Sequence, residues 1–505
     1  MDEVENTPLE YSKELKIATT SIDGLLILDL PVHGDSRGWF KENWQRAKMA
    51  TTTSAHQVDV KVPDFKIVQN NISFNTNRGT TRGIHAEPWD KYISIAAGEI
   101  FGAWVDLRAG SKTYGEVFTA RLDPSKAIFV PRGVGNSFQV LADNTAYTYL
   151  VNAYWSASKQ SDYTFVNLAD KKLNINWPIP LNSAAVEISE KDKQHPSFGE
   201  VKPMQPKKTL VLGANGQLGR AVRAEVLERH EFPDSFIYTD VQANAASGIE
   251  KFDFADEAAY NQVDWSTIGT IINCAAYTAV DLAETAEGRK SAWKVNAYAP
   301  SLLAQVSNEY DITVVHISSD YVFDGQKDGA YAEDDAFCPL GIYAQTKAAG
   351  DLAISVAKKH VIIRSSWIIG DGKNFIRTIH NLAKRGVKPK VVDDQKGRIT
   401  FTSTLAAGIF HILKLQEYGT FNLTNSGEVQ TWCDVARAVF ELSGVDARAV
   451  SPISTAQYSA EYAKDGALIS ERPANSALDL KKITALSFTP TSYVQELEKY
   501  MKGLL

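Results

Sequence analysis

Residues 209–230, TLVLGANGQLGRAVRAEVLERH, read as a buried strand, a glycine-rich turn and an amphipathic helix. Glycines at 213, 216 and 219 allow a pyrophosphate to approach the backbone N–H groups at the helix N-terminus. Gly213, Asn215, Gly216, Gln217, Leu218 and Gly219 therefore form a candidate dinucleotide cradle. Asp240 closes the next apolar run, FIYTD, about 20 residues further on, where a carboxylate can bind an adenine-ribose hydroxyl. The runs TIINCAA, ITVVHISSD and HVIIRSSW continue the alternation of apolar strand and helix. The expected fold of this half is an α/β Rossmann doubly wound parallel sheet with a small substrate-binding lobe.

Towards the N-terminus the pattern changes. From Ile22 to about Tyr154 short strands alternate with turns, as in GLLILDLP, GEIFGAWVDLR, AIFVPRG, SFQVLAD and AYTYLVNAYW, with almost no helical period. This predicts an all-β jelly roll, cupin-like in form. Prolines and glycines without an amphipathic period follow it, so the expected division is a jelly roll over 1–195, a linker over 196–206 and a Rossmann domain over 207–505.

A chain of 505 residues exceeds one ordinary core, and 44% hydrophobic with 22% charged residues is globular composition. The net charge of -7 offers no broad basic surface, so nucleic acid is excluded as an expected partner. The start, MDEVENTPLEYSKELK, is acidic and lacks an apolar core, and no run approaches a membrane span, which predicts a cytoplasmic protein without a membrane partner. Cys274, Cys338 and Cys433 show no pairing pattern and read as reduced thiols.

Tyr343 and Lys347 stand in Y-A-Q-T-K, a spacing that puts both on one helical face. An ammonium there is expected to lower the phenol's pKa towards working pH, and Ser318, Ser319 and Asp320 end a strand just upstream with hydroxyls to orient a carbonyl. With GANGQLG, NCAAYTAVDLAE, SSDYVFDG, RSSW and RPANSALD, the half resembles the extended short-chain dehydrogenase/reductases, most nearly the dTDP-4-dehydrorhamnose reductase family, over about 207–505. The resemblance implies that Tyr343 donates a proton, that Lys347 tunes it and holds the nicotinamide ribose, and that Ser319 stands where the family usually has threonine. It places Asp253 and Phe254 at the adenine, Ala275, Ala276 and Tyr277 along the cofactor, and Thr278, Trp367, Arg472 and Asn475 at the substrate. The implied cofactor is NADPH or NADH, with a structural Mg2+ left open. DDQKGRIT departs from the family's aromatic-Gly-Ala-Pro segment.

In the β half, Arg82-Gly-Ile-His85 is followed by Lys91 beyond a short loop. One histidine on a strand is more often a structural residue than a base, and with His33 and His56 the only other histidines before the proline-rich segment no metal site is expected. With DSRGWFKE (35–42), Gln69-Asn-Asn71, VDLRAGSKTYG, Tyr149, NWP and Ser189-Glu-Lys-Asp192, the half resembles the dTDP-4-dehydrorhamnose 3,5-epimerase family over about 20–200. The resemblance implies that His85 is the base, Asp192 orients it, Lys91 faces the developing enolate and Tyr149 returns the proton from the opposite face, with no cofactor. Arg37, Glu42, Gln69, Asn71 and Arg82 are then expected at the nucleotide diphosphate, and Phe40 and Trp155 at thymine.

The family's His-Gly-Phe is Asn136-Ser-Phe138 here, Gly102 replaces a commonly acidic position, and the loop before Lys91 is short. Asn136 can donate a hydrogen bond but carries no charge. The substrate implied is a dTDP-4-keto-6-deoxy sugar, and the expected assembly is a homodimer. Two alternatives stay open: a β half that only binds or dimerises, and the same chemistry on a UDP-linked sugar.

Overall fold

The computed structural model describes residues 14–50, 53–54, 59–63, 66–155, 157–229, 233–463 and 468–504. His56 and most of the acidic start lie outside them. The chain forms two compact units, Met1–Pro206 and Lys207–Leu505. Among the described residues no helix is long and apolar enough to cross a membrane.

In the first unit two antiparallel sheets face each other. One has six strands in the order Lys16–Thr19, Leu26–Asp29, Lys126–Val130, Lys91–Ala97, Thr145–Val151, Gln69–Asn75. The other has five, Val117–Leu122, Ile100–Asp106, Val134–Val140, Thr81–Ala86, Thr164–Phe165. Alternation of side chains sends Ile93, Ile95, Trp104, Ile128, Phe138 and Tyr147 into the space between the sheets, which is the jelly-roll core.

The outer face of the five-stranded sheet, with Ile84, Ala86, Val105 and Leu107, is also apolar and must be covered. Residues 196–206 help to cover it, so they are not the free linker expected from their prolines. Met204 is 5% exposed and pairs its backbone with Leu107 and Ala109, while Asn167 N–H donates to the Pro196 carbonyl. The prolines of 196–206 limit helix to the single turn Phe198–Glu200, but they do not prevent an extended segment from docking on a sheet.

The second unit carries a seven-stranded parallel sheet ordered Ile249–Lys251, Phe236–Asp240, Lys208–Leu212, Ile268–Asn273, Thr313–Ser319, His360–Ser365, Gly419–Asn422. The strand order reverses between Lys208–Leu212 and Ile268–Asn273, which opens a crevice at their C-terminal ends. Leu218, Val222 and Val226 bury one stripe of helix Gln217–Glu228 against the sheet core. A separate lobe gathers Trp367, Ile376, Val391, Cys433, Val439 and Leu497 into its own core.

Candidate functional sites

His85 and Arg82 are three apart, an odd spacing that in a regular strand puts them on opposite faces. A bulge corrects this: Asn136 pairs with His85 and Phe138 with Arg82, so one extra residue of the His85 strand lies between them. Gly83 (φ +115°) sits in the bulge, where a Cβ would lie 2.5 Å from Ser137 Cβ. Arg82, His85, Asn136 and Phe138 consequently share the face that looks into the jelly roll.

His85 Nε2 meets Asp192 Oδ1 at 2.8 Å. Asp192 is buried on the turn Glu190–Lys193, capped by Ser189, and its other oxygen accepts the Gly83 N–H at 3.4 Å. Burial alone would raise its pKa, but the hydrogen bond from His85, aided by Gly83 and His195, holds the carboxyl below its ordinary value. Lys91 is buried at the head of its strand, ion-paired with Glu87, its Nζ 5.5 Å from the centre of the Tyr149 ring. Burial and Glu87 raise the Tyr149 phenol, against the pull of Arg82. The phenol therefore stays protonated at neutral pH.

The departures have visible partners. Asn136 donates from Nδ2 to the Tyr147 hydroxyl at 3.1 Å, and Tyr147 stacks on Phe138 at 4.4 Å. At Gly102 a Cβ would meet the Trp104 ring at 2.1 Å, so indole fills the place of the missing acidic chain. Gln69 and Asn71 bond each other at 2.7 Å, and Gln69 also accepts the Trp155 N–H; Asn71 pairs across the sheet with Tyr149. Arg37, Phe40 and Glu42 are set apart from this group. They lie in and beside the hairpin Val32–Asp35/Gly38–Lys41, where Arg37 pairs with Asp35, Phe40 is 65% exposed and Glu42 meets Lys48. Among the described residues no hydrogen bond ties the three to His85, Asp192 or Lys91.

His195, unremarked in the sequence, is 9% exposed, its ring 5.3 Å from that of His85 and stacked on Phe165 at 4.7 Å. Three residues after Asp192, it lies just beyond Gln194, the C-cap of that turn, a spacing that was available to be read. His85, Asp192 and His195 present ligand atoms within 4.8 Å of one another, a grouping that the count of His33 and His56 passed over. The 2.8 Å contact commits two of those atoms to each other.

In the second unit a cleft of about 800 Å³ runs from the glycine turn to Tyr343. Gly213, Gly216, Gln217, Leu218, Asp240, Asp253, Phe254, Ala275, Ala276, Tyr277, Thr278, Ser319, Tyr343, Lys347 and Trp367 line it. A Cβ at Gly213 (φ +73°) would lie 2.8 Å from the Ala275 N, and one at Gly219 2.3 Å from the Gly213 carbonyl. The close approach expected for a pyrophosphate thus coincides with a close approach of the chain to itself. Asp240 accepts the Asn215 N–H at 3.0 Å, and Asn215 donates to the Gln242 carbonyl.

Four expected residues do not line the cleft. Asn215 and Gly219 shape the turn from behind. Arg472 forms two 2.9 Å bonds to Asp281, and Asn475 donates to the Lys327 and Gly329 carbonyls, so both secure loops.

Tyr343 differs from expectation in its acidity. Burial and the nearby Asp320 push its phenol up to about 12, a hydrogen bond with Ser319 pulls the other way, and Lys347 donates to the Ile317 carbonyl at 2.6 Å. Burial brings Lys347 down to about 8, against the pull of Asp351. Asp320 itself is pushed by burial up to about 7, against bonds from Ser476 and Ser319. Trp367 (φ +45°) stacks on Trp432 at 3.8 Å, and Gly397 of DDQKGRIT lies where a Cβ would be 2.8 Å from that indole. Trp432 and Tyr321 line the cleft without having been singled out, because nothing local marks them.

Two families match the chain: dTDP-4-dehydrorhamnose 3,5-epimerase over residues 19–200 and the RmlD substrate binding domain over 207–505. The first half is 51% identical over 187 residues to a protein named RmlC homolog from Streptococcus pyogenes, covering 37% of this chain and 90% of that protein. The second is 32% identical over 301 residues to a dTDP-4-dehydrorhamnose reductase from Aggregatibacter actinomycetemcomitans, covering 57% and 96%. The chain belongs to the 3,5-epimerase and dTDP-4-dehydrorhamnose reductase families. The reductase half also resembles the structure of a dTDP-4-dehydrorhamnose reductase from Bacillus anthracis in complex with NADP, at 27% identity and a TM-score of 0.50 over 59% of this chain and 100% of that one.

Proposed function

We propose that the chain carries out two successive reactions. The first is 3,5-epimerisation of dTDP-4-dehydro-6-deoxy-D-glucose in the jelly roll, giving dTDP-4-dehydro-L-rhamnose. The second is NAD(P)H-dependent reduction of the C4 ketone in the Rossmann cleft, giving dTDP-L-rhamnose. The observation that carries the reading is that each unit holds a full acid–base set of its own: His85, Asp192, Lys91 and Tyr149 in one, Ser319, Tyr343 and Lys347 in the other.

In the epimerase site Asp192 accepts the His85 Nε2–H, which leaves the Nδ1 lone pair as the base for protons α to the ketone. The ionised Asp192 then stabilises the imidazolium. Lys91 supplies positive charge for the enolate oxygen, and Tyr149, held protonated, returns a proton from the other side. Asn136, bonded to Tyr147, offers the diphosphate a hydrogen-bond donor without charge.

In the reductase site the glycine turn at a helix N-terminus and the cleft lining fit a dinucleotide. When bound, reduced nicotinamide supplies hydride to C4. Ser319 orients the carbonyl oxygen, and Tyr343, kept protonated by burial and Asp320, gives the proton that the new alkoxide needs. Lys347 and Tyr277 hold the reduced-cofactor side of the cleft, and Asp240 and Asp253 its adenine end. Subunits pair as a homodimer, and the protein works in the cytoplasm.

The test is incubation of the purified full chain with dTDP-4-keto-6-deoxyglucose in D2O, first without and then with NADPH or NADH. Deuterium at C3 and C5 without cofactor, followed by L-rhamnose stereochemistry with it, is expected. Reduction without prior exchange at C3 and C5 would leave a reductase carrying a binding domain.

A further inference from the structure

Behind the reductase cleft a buried polar chain runs back from Lys347 through residues that the proposed chemistry does not use. Lys347 Nζ, besides its bond to the Ile317 carbonyl, lies 3.5 Å from His316 Nε2. His316 is 1% exposed on strand Thr313–Ser319, and its Nδ1 lies 3.1 Å from Asn273 Nδ2.

The neighbours decide which nitrogen of His316 carries the proton. Asn273 Oδ1 accepts the Ala275 backbone N–H at 3.1 Å, and a backbone N–H can only donate. The amide oxygen therefore faces Ala275 and the NH2 group faces His316. A donor at Nδ1 requires a lone pair there. Burial holds His316 well below its ordinary pKa, which removes the doubly protonated form. The single ring proton then sits on Nε2 and points at Lys347.

An N–H dipole aimed at an ammonium repels it, whereas aimed at a neutral amine it donates to the lone pair. The other titratable groups around Lys347 are Asp351 and the neutral Tyr343 on its own helix, with Arg364 of strand His360–Ser365 pairing Asp351 through a 3.1 Å bond. Asp320 lies on the Tyr343 side of the cleft. A neutral amine at this position donates one N–H to Ile317, accepts from His316 and keeps one N–H for the cleft.

We propose that His316 is a positioning residue of the reductase, whose Asn273-fixed Nε2–H favours the neutral amine of Lys347 and so leaves a lysine able to take up and release a proton beside Tyr343. The proposal rests on the reductase reading of this cleft. Each turnover moves one proton from Tyr343 to the substrate oxygen, and one solvent proton restores it. A lysine that stays charged throughout cannot serve as a station for that return.

Two measurements on the full chain test it. In 15N-histidine spectra, the signal lost in His316→Gln should show an unprotonated Nδ1 and a protonated Nε2 in the parent protein. In the pH profile of NAD(P)H-dependent reduction, the limb belonging to Lys347 should rise by about one unit or more in His316→Leu. In His316→Gln it should stay within roughly 0.3 units, because Asn273 orients the new amide with its NH2 towards Lys347. Asn273→Asp keeps the acceptor for Ala275 and makes the group facing Nδ1 an acceptor, so it should force the other tautomer and raise the limb. It serves where His316→Leu does not fold. An Nδ1–H tautomer in the parent, or an unmoved limb in a folded His316→Leu or Asn273→Asp protein, overturns the proposal. Absence of any reduction by the parent protein overturns the reductase reading instead, and the spectrum still reports the tautomer.

Discussion

The two sites solve opposite proton problems with opposite surroundings. On the proposed reading a base in the jelly roll must pick up a proton, and His85 is partly open, 32% exposed in its side chain, against a carboxylate whose pKa is lowered. On the same reading a donor in the Rossmann cleft must keep its proton until an alkoxide forms, and burial, with the nearby Asp320, raises the Tyr343 phenol. A negative neighbour serves both ends: it favours the imidazolium in one and disfavours the phenolate in the other. What differs is the group beside the carboxylate and how readily water reaches it.

The strongest way to break this comparison is to remove each proton carrier in turn. Tyr343→Phe should cut reduction by about 10²–10⁴-fold and leave deuterium wash-in at C3 and C5 intact. His85→Ala should do the reverse, with wash-in falling on the same scale while cofactor binding persists. Oxidation of NAD(P)H near the parent rate in the first variant, or unchanged wash-in in the second, means that the wrong carrier has been named.

The electrostatic part of the contrast is sharpened by Asp320→Asn. A carboxyl moved from 3.8 to about 7 by burial binds more protons folded than unfolded, so it costs stability as pH rises through that interval and costs nothing below it. The variant should gain on the order of 4 kcal/mol at pH 8 in urea unfolding and well under about 1 kcal/mol at pH 4. An equal gain at both values would assign the effect to packing.

Smaller effects probe the binding surfaces. Gly213→Val should raise the cofactor dissociation constant roughly tenfold or more, because its positive φ and the contact with Ala275 leave no room for a branched chain. Fluorescence titration of a folded variant that binds as well as the parent would move the dinucleotide elsewhere. Asn136→Ala removes one hydrogen bond to Tyr147 and should raise the epimerase KM only a few-fold, in keeping with about 1 kcal/mol per bond. A collapse of kcat instead would make Asn136 part of the chemistry.

Much of this architecture is local and therefore legible in the chain itself. Alternating apolar residues announced the jelly roll, and the spacing of Gly213, Gly216 and Gly219 after an apolar strand announced the cleft, because periodicity and turn chemistry act over a few residues. Motifs single out His85, Lys91, Tyr343 and Lys347, and the fold sets His85 against Asp192 and puts Tyr343 and Lys347 in one cleft. Tertiary structure alone decided the rest. It turned 196–206 from a spacer into a cover, because the outer apolar face of a sheet seeks a partner wherever the chain supplies one. It brought His195 beside His85 and Trp432 to the cleft, and it ties Arg472 to Asp281 and Asn475 to the Lys327 carbonyl. It also reversed the expected acidity of Tyr343, since a pKa is set by burial and by charges that arrive from distant strands, whose distances no spacing in the sequence encodes.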